Sequence, residues 1–388
     1  MATKPKAVII GAGIAGLSAS WWLDKAGWTS VIVERAPSLR DGGYLVTISG
    51  LGLDTLKHMN LESALEGLTY KFEENVFKDN SGNELLRIRY KDVHGGMESF
   101  AACRDDLARA LAKVLPDSAS IRFNETLDHV FDSGSKIKAT LKSGDTIEAD
   151  LLIGADGIRS SVRGQSWKNV DCLEHLGYSY SVYDFVATDV LQSDCVSFNG
   201  LGHLDMLYAL RNDRVAALHI WREDLTKIQD EQNKFQTLRH VTAGGAKLVT
   251  DVIDRAEELG SSPIMDSLTM VTLPQWSKGR ILLLGDAAHC LTLMSAQGAC
   301  MALASTEILG KELMATKDIS EALANHERKL RPIIIKLQQR SRNMASMYIP
   351  KSRIWYYLRN ILMRLMPASW VASWHANAVK LEVDLTKT

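Results

Sequence analysis

The spacing of apolar and polar residues predicts alternating strands and helices from the N-terminal end. Ala7–Ile10 is an unbroken apolar run of β type, Gly11–Gly16 is a turn, and Ile14–Ala26 is a helical stretch with Ala, Leu and Trp on its buried side. Val31–Glu34 is a second β-type run, which completes a βαβ unit. Leu51–Met59 reads as a helix, and so does Arg104–Leu115, which Pro116 ends. Ser120–Phe123, Lys136–Leu141 and Thr146–Ala149 read as strands, and Leu151–Ile153 leads into Gly154-Ala155-Asp156-Gly157. The pattern changes between His175 and Pro274. Tyr178–Thr188, Asp205–Arg211 and Val215–Arg222 alternate as strands of an antiparallel sheet, and helical stretches lie between Asp224 and Leu259. Ile281–Leu284 returns to a buried parallel strand, followed by Gly285-Asp286 and a helix through about Leu313. Ile319–Met347 is a long helix that Pro332 is expected to kink or interrupt. From Lys351 the tail is aromatic, basic and amphipathic, and both its halves read as helical.

This order predicts an α/β protein. Residues 1–174 and 275–350 form a discontinuous Rossmann-like nucleotide domain, 175–274 an inserted antiparallel-sheet domain for the substrate, and 351–388 a C-terminal helical cap. With 388 residues, 46% of them hydrophobic, the chain can bury a large core. A net charge of -1 and the lack of a long basic run argue against a nucleic-acid partner. The five cysteines, Cys103, Cys172, Cys195, Cys290 and Cys300, form no CxxC and no metal-ligand cluster, so they read as free thiols in a reducing compartment. No signal peptide fits the start, and no run of eighteen apolar residues predicts an integral membrane segment. The expectation is a cytoplasmic protein of undetermined oligomeric state.

Three motifs carry chemistry. Gly11-Ala12-Gly13-Ile14-Ala15-Gly16 sits between a strand and a helix. Gly11 permits the tight turn, Gly13 lets the backbone approach a pyrophosphate, and Gly16 lets the helix pack on the strand. The helix N-terminus offers N–H groups and positive partial charge. Glu34 ends the second strand, where an acid suits a ribose diol. The motif alone does not separate NAD from FAD. Arg35 reads either as a contact to a 2′-phosphate or, better, as an exposed arginine after a strand. The second motif, Gly154 to Arg163, holds Asp156-Gly157; taken alone it reads as an ordinary Asp-Gly turn. The third is Gly285-Asp286-Ala287-Ala288-His289, ending at Gln297-Gly298. Asp286 reads as a helix cap or as an acceptor for a sugar-alcohol chain. Ser295–Gly298 then starts a helix that faces an electron-rich ring.

In this order the motifs resemble the FAD-dependent aromatic-ring hydroxylases, the single-component flavoprotein monooxygenases, over roughly Lys6 to Pro350. The resemblance implies that Gly11, Gly13, Gly16 and Glu34, with Ile14, Ala15 and Arg35 beside them, hold the ADP half of FAD. It gives Arg104 and Arg40, the latter ahead of Gly42-Gly43, contacts to the flavin. Asp156-Gly157 matches a turn assigned to FAD and to transient NAD(P)H. Gly285 and Asp286 match the site of the ribityl chain, and Gln297, Gly298 and Ala299 the turn beside the ring. His289 is placed near the flavin, outside the catalytic set. Within the family the chain looks most like the tetracycline-inactivating and polyketide-tailoring monooxygenases. There are departures: Thr292-Leu293 and Ala296 stand where proline and glycine are common.

The activity so implied is oxygen transfer from O2, through a flavin hydroperoxide, to an aromatic, tetracycline-like or other polyketide small molecule, as hydroxylation or insertion. The protein must position the substrate and exclude water. No catalytic triad is visible. Tyr208, His219 and Arg222 are the catalytic candidates on the inserted sheet, with a weaker claim for His203. Residues two apart share a strand face, so His219 and Trp221 lie together and Arg222 opposite. Each of these also reads as an ordinary sheet residue. The tail, with Trp355, Tyr356, Tyr357, Trp370 and Trp374, reads as a cap over the substrate opening or as a membrane-surface helix. Alternatives to oxygenation are an FAD-bound protein of the same fold that cyclises or binds a ligand, or one that reduces an isoprenoid.

Overall fold

Parallel strands carry the site. The computed structural model describes residues 4–39, 44–89, 98–188, 190–191, 193–224 and 234–365. The chain divides into two compact units. The first comprises Met1–Thr69, Ala102–Glu174 and Thr269–Arg340. The second comprises Tyr70–Ala101, His175–Leu268 and Ser341–Thr388.

The first unit is built on a six-stranded sheet in the order Ser277–Lys278, Ile281–Leu283, Leu151–Gly154, Lys6–Ile10, Thr29–Val33, Ala119–Arg122. All but the first pairing are parallel. Ala7, Val8 and Ile9 are fully buried, as are Leu151 to Ile153 and Leu282 to Leu284. Such continuous apolar runs are what a parallel sheet covered on both faces requires. The helix Ile14–Lys25 returns from the first strand to the second and packs on the helix Gly298–Ala315. Ser18 and Thr306 share a 2.6 Å hydrogen bond there, and a Cβ on Gly310 would lie 2.8 Å from Trp22 Cβ. A three-stranded antiparallel sheet, Leu127–Asp132, Ile137–Leu141 and Thr146–Ala149, lies in the same unit.

The second unit is a seven-stranded sheet in the order Ile264–Val271, Leu173–Val186, Arg214–Arg222, His203–Leu210, Cys195–Asn199, Glu74–Lys78, Glu84–Arg89. One face is covered by the helices Lys234–Val241 and Lys247–Glu258, whose Leu238, Val241, Val249, Val252 and Ile253 meet Tyr183, Phe198, Leu207 and Trp221 in one apolar cluster.

Several expectations change. Glu74–Lys78 and Glu84–Arg89 join the sheet expected only between His175 and Pro274, and Cys195–Asn199 is an additional strand within that stretch. Cys195–Asn199 pairs in parallel with Glu74–Lys78, so the sheet is not purely antiparallel. That pairing draws Tyr70–Ala101 into the second unit, while Thr269–Pro274 falls in the first and Ser341–Tyr348 in the second. The stretch after Gly285 is not one helix. A four-residue helix, Asp286–His289, and a 3₁₀ turn, Leu293–Ser295, precede the helix Gly298–Ala315. Nor does Pro332 interrupt the helix Ile319–Tyr348. A proline inside a helix costs about 3 kcal/mol in a lost hydrogen bond and a clash. Here the buried Leu330 and Ile334 and the Arg331 guanidinium, which donates to the Leu273 carbonyl at 2.9 Å, tie down both sides. The described part of the tail is the helix Arg353–Leu365.

Candidate cofactor and substrate sites

Strand register brings the three motifs together. Ile10 lies beside both Val33 and Gly154, and Gly154 lies beside Leu283. Gly11, Glu34, Ala155 and Leu284 therefore leave the sheet in one row, at the carboxyl ends of adjacent parallel strands, where open α/β sheets place their ligands.

In the first motif each glycine has its own reason. Gly11 has φ +107°, and a Cβ there would lie 2.5 Å from the Ala155 carbonyl oxygen. A Cβ on Gly16 would lie 1.9 Å from the Gly11 carbonyl oxygen. A Cβ on Gly13 would meet nothing within 4 Å. Two glycines are thus wedged against backbone, and the third opens outward at the start of a helix that no side chain caps. Ile14 and Ala15 begin that helix, buried. The Glu34 carboxylate accepts the Ala12 N–H at 2.8 Å and the Ala36 N–H at 2.9 Å, which pins the loop to the second strand. Arg35 is exposed.

In the second motif the Asp156 carboxylate is used locally. It accepts from the Ser160 and Ser161 hydroxyls and from the Ser161 and Val162 N–H groups at the start of the helix Ser161–Ser166. Gly157 turns the chain at φ +79°. The buried Arg163 guanidinium donates to the carbonyls of Ile158 and, at 2.9 Å, Ala287. The second motif therefore buttresses the third.

In the third motif Gly285 has φ +57°, and a Cβ there would come 3.1 Å from Ala15 Cβ. Asp286 Oδ1 lies 3.9 Å from where a Cβ on Gly298 would be. Burial, then the charge of Asp286, pushes the Cys290 thiol well above its ordinary value. Tyr44 lies in the same field. Burial is the largest influence on it and raises its phenol, the Arg104 charge opposes, and Asp286 and Cys290 raise it further. The Arg104 guanidinium sits 5.8 Å from the Tyr44 ring centroid, and the Arg104 backbone N–H donates to the Tyr44 carbonyl at 3.1 Å. Thr292 at φ +65° and Ala296 at φ +54° hold conformations that favour glycine. Gln297 donates to Ser49 Oγ at 3.3 Å, and Gly298 and Ala299 then open a helix with no side-chain cap. His289 packs into the interior, its ring centroid 4.8 Å from that of Trp276. Burial, with the repulsion of His326, lowers it to about 3.

These features fit a bound FAD: an uncapped helix end behind an outward-opening glycine, an acid on the second strand, and an aspartate flanked by glycines. Among the matching residues, Arg40 and Gly42-Gly43 lie outside the described residues, as do Trp370 and Trp374 of the tail. Cys103, Asp105 and Asp106 lie close enough together for a metal ion, but both aspartates ion-pair with Arg109 at 2.8 Å.

In the second unit Tyr208 and Arg222 share one sheet face, and His219 lies on the other, under the helices. Tyr208 packs 5.8 Å from Phe72, which stacks on Tyr70. The Arg222 guanidinium is held by Asp224 and lies 5.4 Å from the Tyr178 ring centroid. His219 is buried, with one ring nitrogen 2.7 Å from Asp205 and the other 2.9 Å from the Tyr183 hydroxyl. His203 joins the same carboxylate at 2.8 Å. Asp205, Tyr183 and Tyr44 are further residues of these sites. The alternation His203-x-Asp205 on a strand was the available signal for Asp205; nothing local marked the other two.

The family described as FAD binding domain matches residues 4–340. An uncharacterized protein of Mycobacterium tuberculosis is 30% identical over 326 residues, 80% of this chain and 85% of that one. A flavin-dependent monooxygenase of Legionella longbeachae is 26% identical over 341 residues, 86% of this chain and 87% of that one. The crystal structure of tetracycline destructase Tet(55) superposes with a TM-score of 0.81 at 23% identity, covering 94% of this chain and 96% of that one. No helix among the described residues is long and apolar enough to cross a membrane.

Proposed function

The chain belongs to the FAD-binding-domain family that includes flavin-dependent monooxygenases, and on that premise we propose that it uses NAD(P)H and O2 to hydroxylate, or insert oxygen into, an aromatic, tetracycline-like or other polyketide small molecule. The observation that carries the cofactor reading is the contrast within the glycine loop. Gly11 and Gly16 are closed in by backbone, and Gly13 alone faces open space. The likeness to a tetracycline destructase supports the substrate class.

FAD supplies the two-electron activation of O2 and the transfer of one oxygen atom. The N–H groups at the start of Ile14–Lys25 receive the pyrophosphate. Glu34 has accepting capacity left for a ribose diol, since each of its oxygens takes one backbone N–H. Asp286 accepts from the ribityl hydroxyls. The helix end at Gln297-Gly298-Ala299 directs positive partial charge at the ring. Arg104 adds a full charge, and the partly buried Tyr44, whose phenol is raised by desolvation, stays protonated. Arg163 acts by holding the Ala287 carbonyl just after Asp286, and Asp156 by fixing the start of the helix that carries Arg163. His289, lowered to about 3, stays neutral at working pH and is not the base.

Tyr208 and Arg222 share the sheet face that receives the substrate. The Arg222 guanidinium stabilises a phenolate or enolate, the ionised form that is most electron-rich at carbon. His219 is enclosed, with both nitrogens bonded, and acts structurally.

Thr292 and Ala296 favour one second reading. Their strained backbone stands where proline and glycine are expected, which suits an FAD protein of this fold that no longer oxygenates, but cyclises, binds or reduces its ligand. NADPH and NADH oxidation with an oxygen electrode, across tetracyclines and polycyclic phenols, separates the two. The expected result is substrate-stimulated oxygen uptake and a product heavier by one oxygen. Oxygen-independent conversion of a panel member would overturn the monooxygenase reading and support the second.

A further inference from the structure

The second unit contains a polar array that the proposed chemistry does not use. Asp205 is 0% exposed, His219 1%, His203 4% and Tyr183 4%. A fully buried carboxylate is tolerated only when it is paired and hydrogen-bonded. Asp205 meets that condition with two imidazoles: His203 Nδ1 at 2.8 Å on one oxygen and His219 Nδ1 at 2.7 Å on the other. An ionised carboxylate only accepts, so both Nδ1 atoms carry their protons. The Tyr183 hydroxyl closes the chain at His219 Nε2.

His203 also packs against two turns. A Cβ on Gly200 would lie 1.9 Å from its Nε2, and one on Gly245 would lie 3.4 Å from its Cε1. Gly200 bonds back to the His203 carbonyl at 3.0 Å, and Gly245 closes the turn from Thr242 at 2.8 Å. The Gly202 N–H donates to the Pro350 carbonyl at 3.1 Å, just before the helix Arg353–Leu365. The ring thus clamps the hairpin end Asn199–His203 to the turn at Gly245, and the same hairpin end holds Pro350.

We propose that the Tyr183–His219–Asp205–His203 array is a protonation-sensitive latch: with His203 as imidazolium it holds the Gly200–Gly202 turn, the Thr242–Gly245 turn and the Pro350 anchor, and loss of that proton loosens them. The charged neighbours are few. The strand Arg214–Arg222 brings His219, the strand Leu173–Val186 brings Tyr183, and the turn Thr242–Gly245 brings no titratable group. Of the covering helices, Lys247–Glu258 brings Asp254, which acts on Tyr183 and is bonded by Arg239 of Lys234–Val241 at 2.8 Å. His219, bonded to the other oxygen of Asp205, is the second imidazole of the array.

The direction follows from linkage. Burial opposes the charge on His203, but Asp205 outweighs it and raises the imidazole above its ordinary value. A raised group gives stability that is complete below its unfolded value, about 6.5, and lost as pH rises through the folded value. Asp205 is itself lowered against its burial, chiefly by His203. Its contribution is complete above about 3.9 and is lost only in strong acid. The latch is tightest between those limits and opens on the alkaline side.

Amide hydrogen exchange on the full-length protein at about pH 6 and about pH 9, corrected for intrinsic rates, reads this directly. Opening at Gly200–Leu204 and Gly245 should increase roughly tenfold for each unit by which His203 is raised. The strands Glu74–Lys78 and Glu84–Arg89 should not change. H203Q, which keeps a donor and cannot titrate, should show the same opening at both pH values. Uniform loosening across the sheet, or no change at Gly200–Leu204, would overturn the proposal. An alkaline response that persists in H203Q would overturn it as well. If H203Q does not fold, the wild-type exchange pattern alone decides.

Discussion

Substituting alanine at each of two glycines three positions apart would be uninformative if both acted alike, but Gly13 and Gly16 should fail in opposite ways. At Gly16 the new Cβ would lie 1.9 Å from the Gly11 carbonyl oxygen, a distance real Cβ atoms do not adopt. The loop and helix must part by more than an ångström, which as overpacking costs about 1–3 kcal/mol of folding stability. At Gly13 the backbone is at φ −80°, ψ −176°, allowed for any residue, and the methyl meets nothing within 4 Å. Only the poorer cap remains, worth about 1 kcal/mol or less. The methyl does stand where a pyrophosphate must approach the N–H groups. A loss of at least about 1.4 kcal/mol there is a tenfold rise in Kd. Thermal unfolding of the apo proteins should find Gly13→Ala near wild type and Gly16→Ala clearly lower. Flavin fluorescence titration should find FAD affinity reduced at least about tenfold in Gly13→Ala. Wild-type affinity in Gly13→Ala would refute the placement of the pyrophosphate over this loop. Wild-type stability in Gly16→Ala would refute the loop geometry itself.

Other outcomes follow from the same site. Asp286→Ala should purify with substoichiometric FAD, checked by the ratio of flavin to protein absorbance; full loading would remove Asp286 from the ribityl site. Ala296→Gly relieves a left-handed alanine that costs about 1–2 kcal/mol, partly offset by glycine entropy, so thermal unfolding should show a gain of up to about 1 kcal/mol. Arg163→Met leaves the Ala287 and Ile158 carbonyls without their donor, a loss of roughly 2–4 kcal/mol in denaturant unfolding. His289 and His326 are lowered by burial to about 3 and about 4, so the unfolded chain binds more protons below its ordinary histidine value. Stability should therefore fall as pH drops from about 6.5 towards those values, by roughly 2–3 kcal/mol per histidine near pH 4.5, and His289→Phe should flatten that fall.

The local chemistry of the cofactor site was legible in the chain. An apolar run, a glycine-spaced turn and a helix with an acid after the next strand are short-range patterns, and they determined the βαβ unit and the roles open to Gly11, Gly13, Gly16 and Glu34. The paired carboxyl ends of the strands, which bring Gly154 and Leu283 beside Ile10, were decided by tertiary structure, because strand order and register depend on contacts between residues more than a hundred positions apart. The same holds for Asp205. Its strand was readable and its burial was not, since only pairing with Arg214–Arg222 sets His219 opposite it and only the covering helices take it out of water. Glu74–Lys78 and Cys195–Asn199 are not legible in the sequence for a related reason. Each is five residues long, and what holds it as a strand is mainly a partner about 120 positions away. At Thr292 and Ala296 the residue types pointed away from the backbone found there, and the packed structure around the third motif holds them in it.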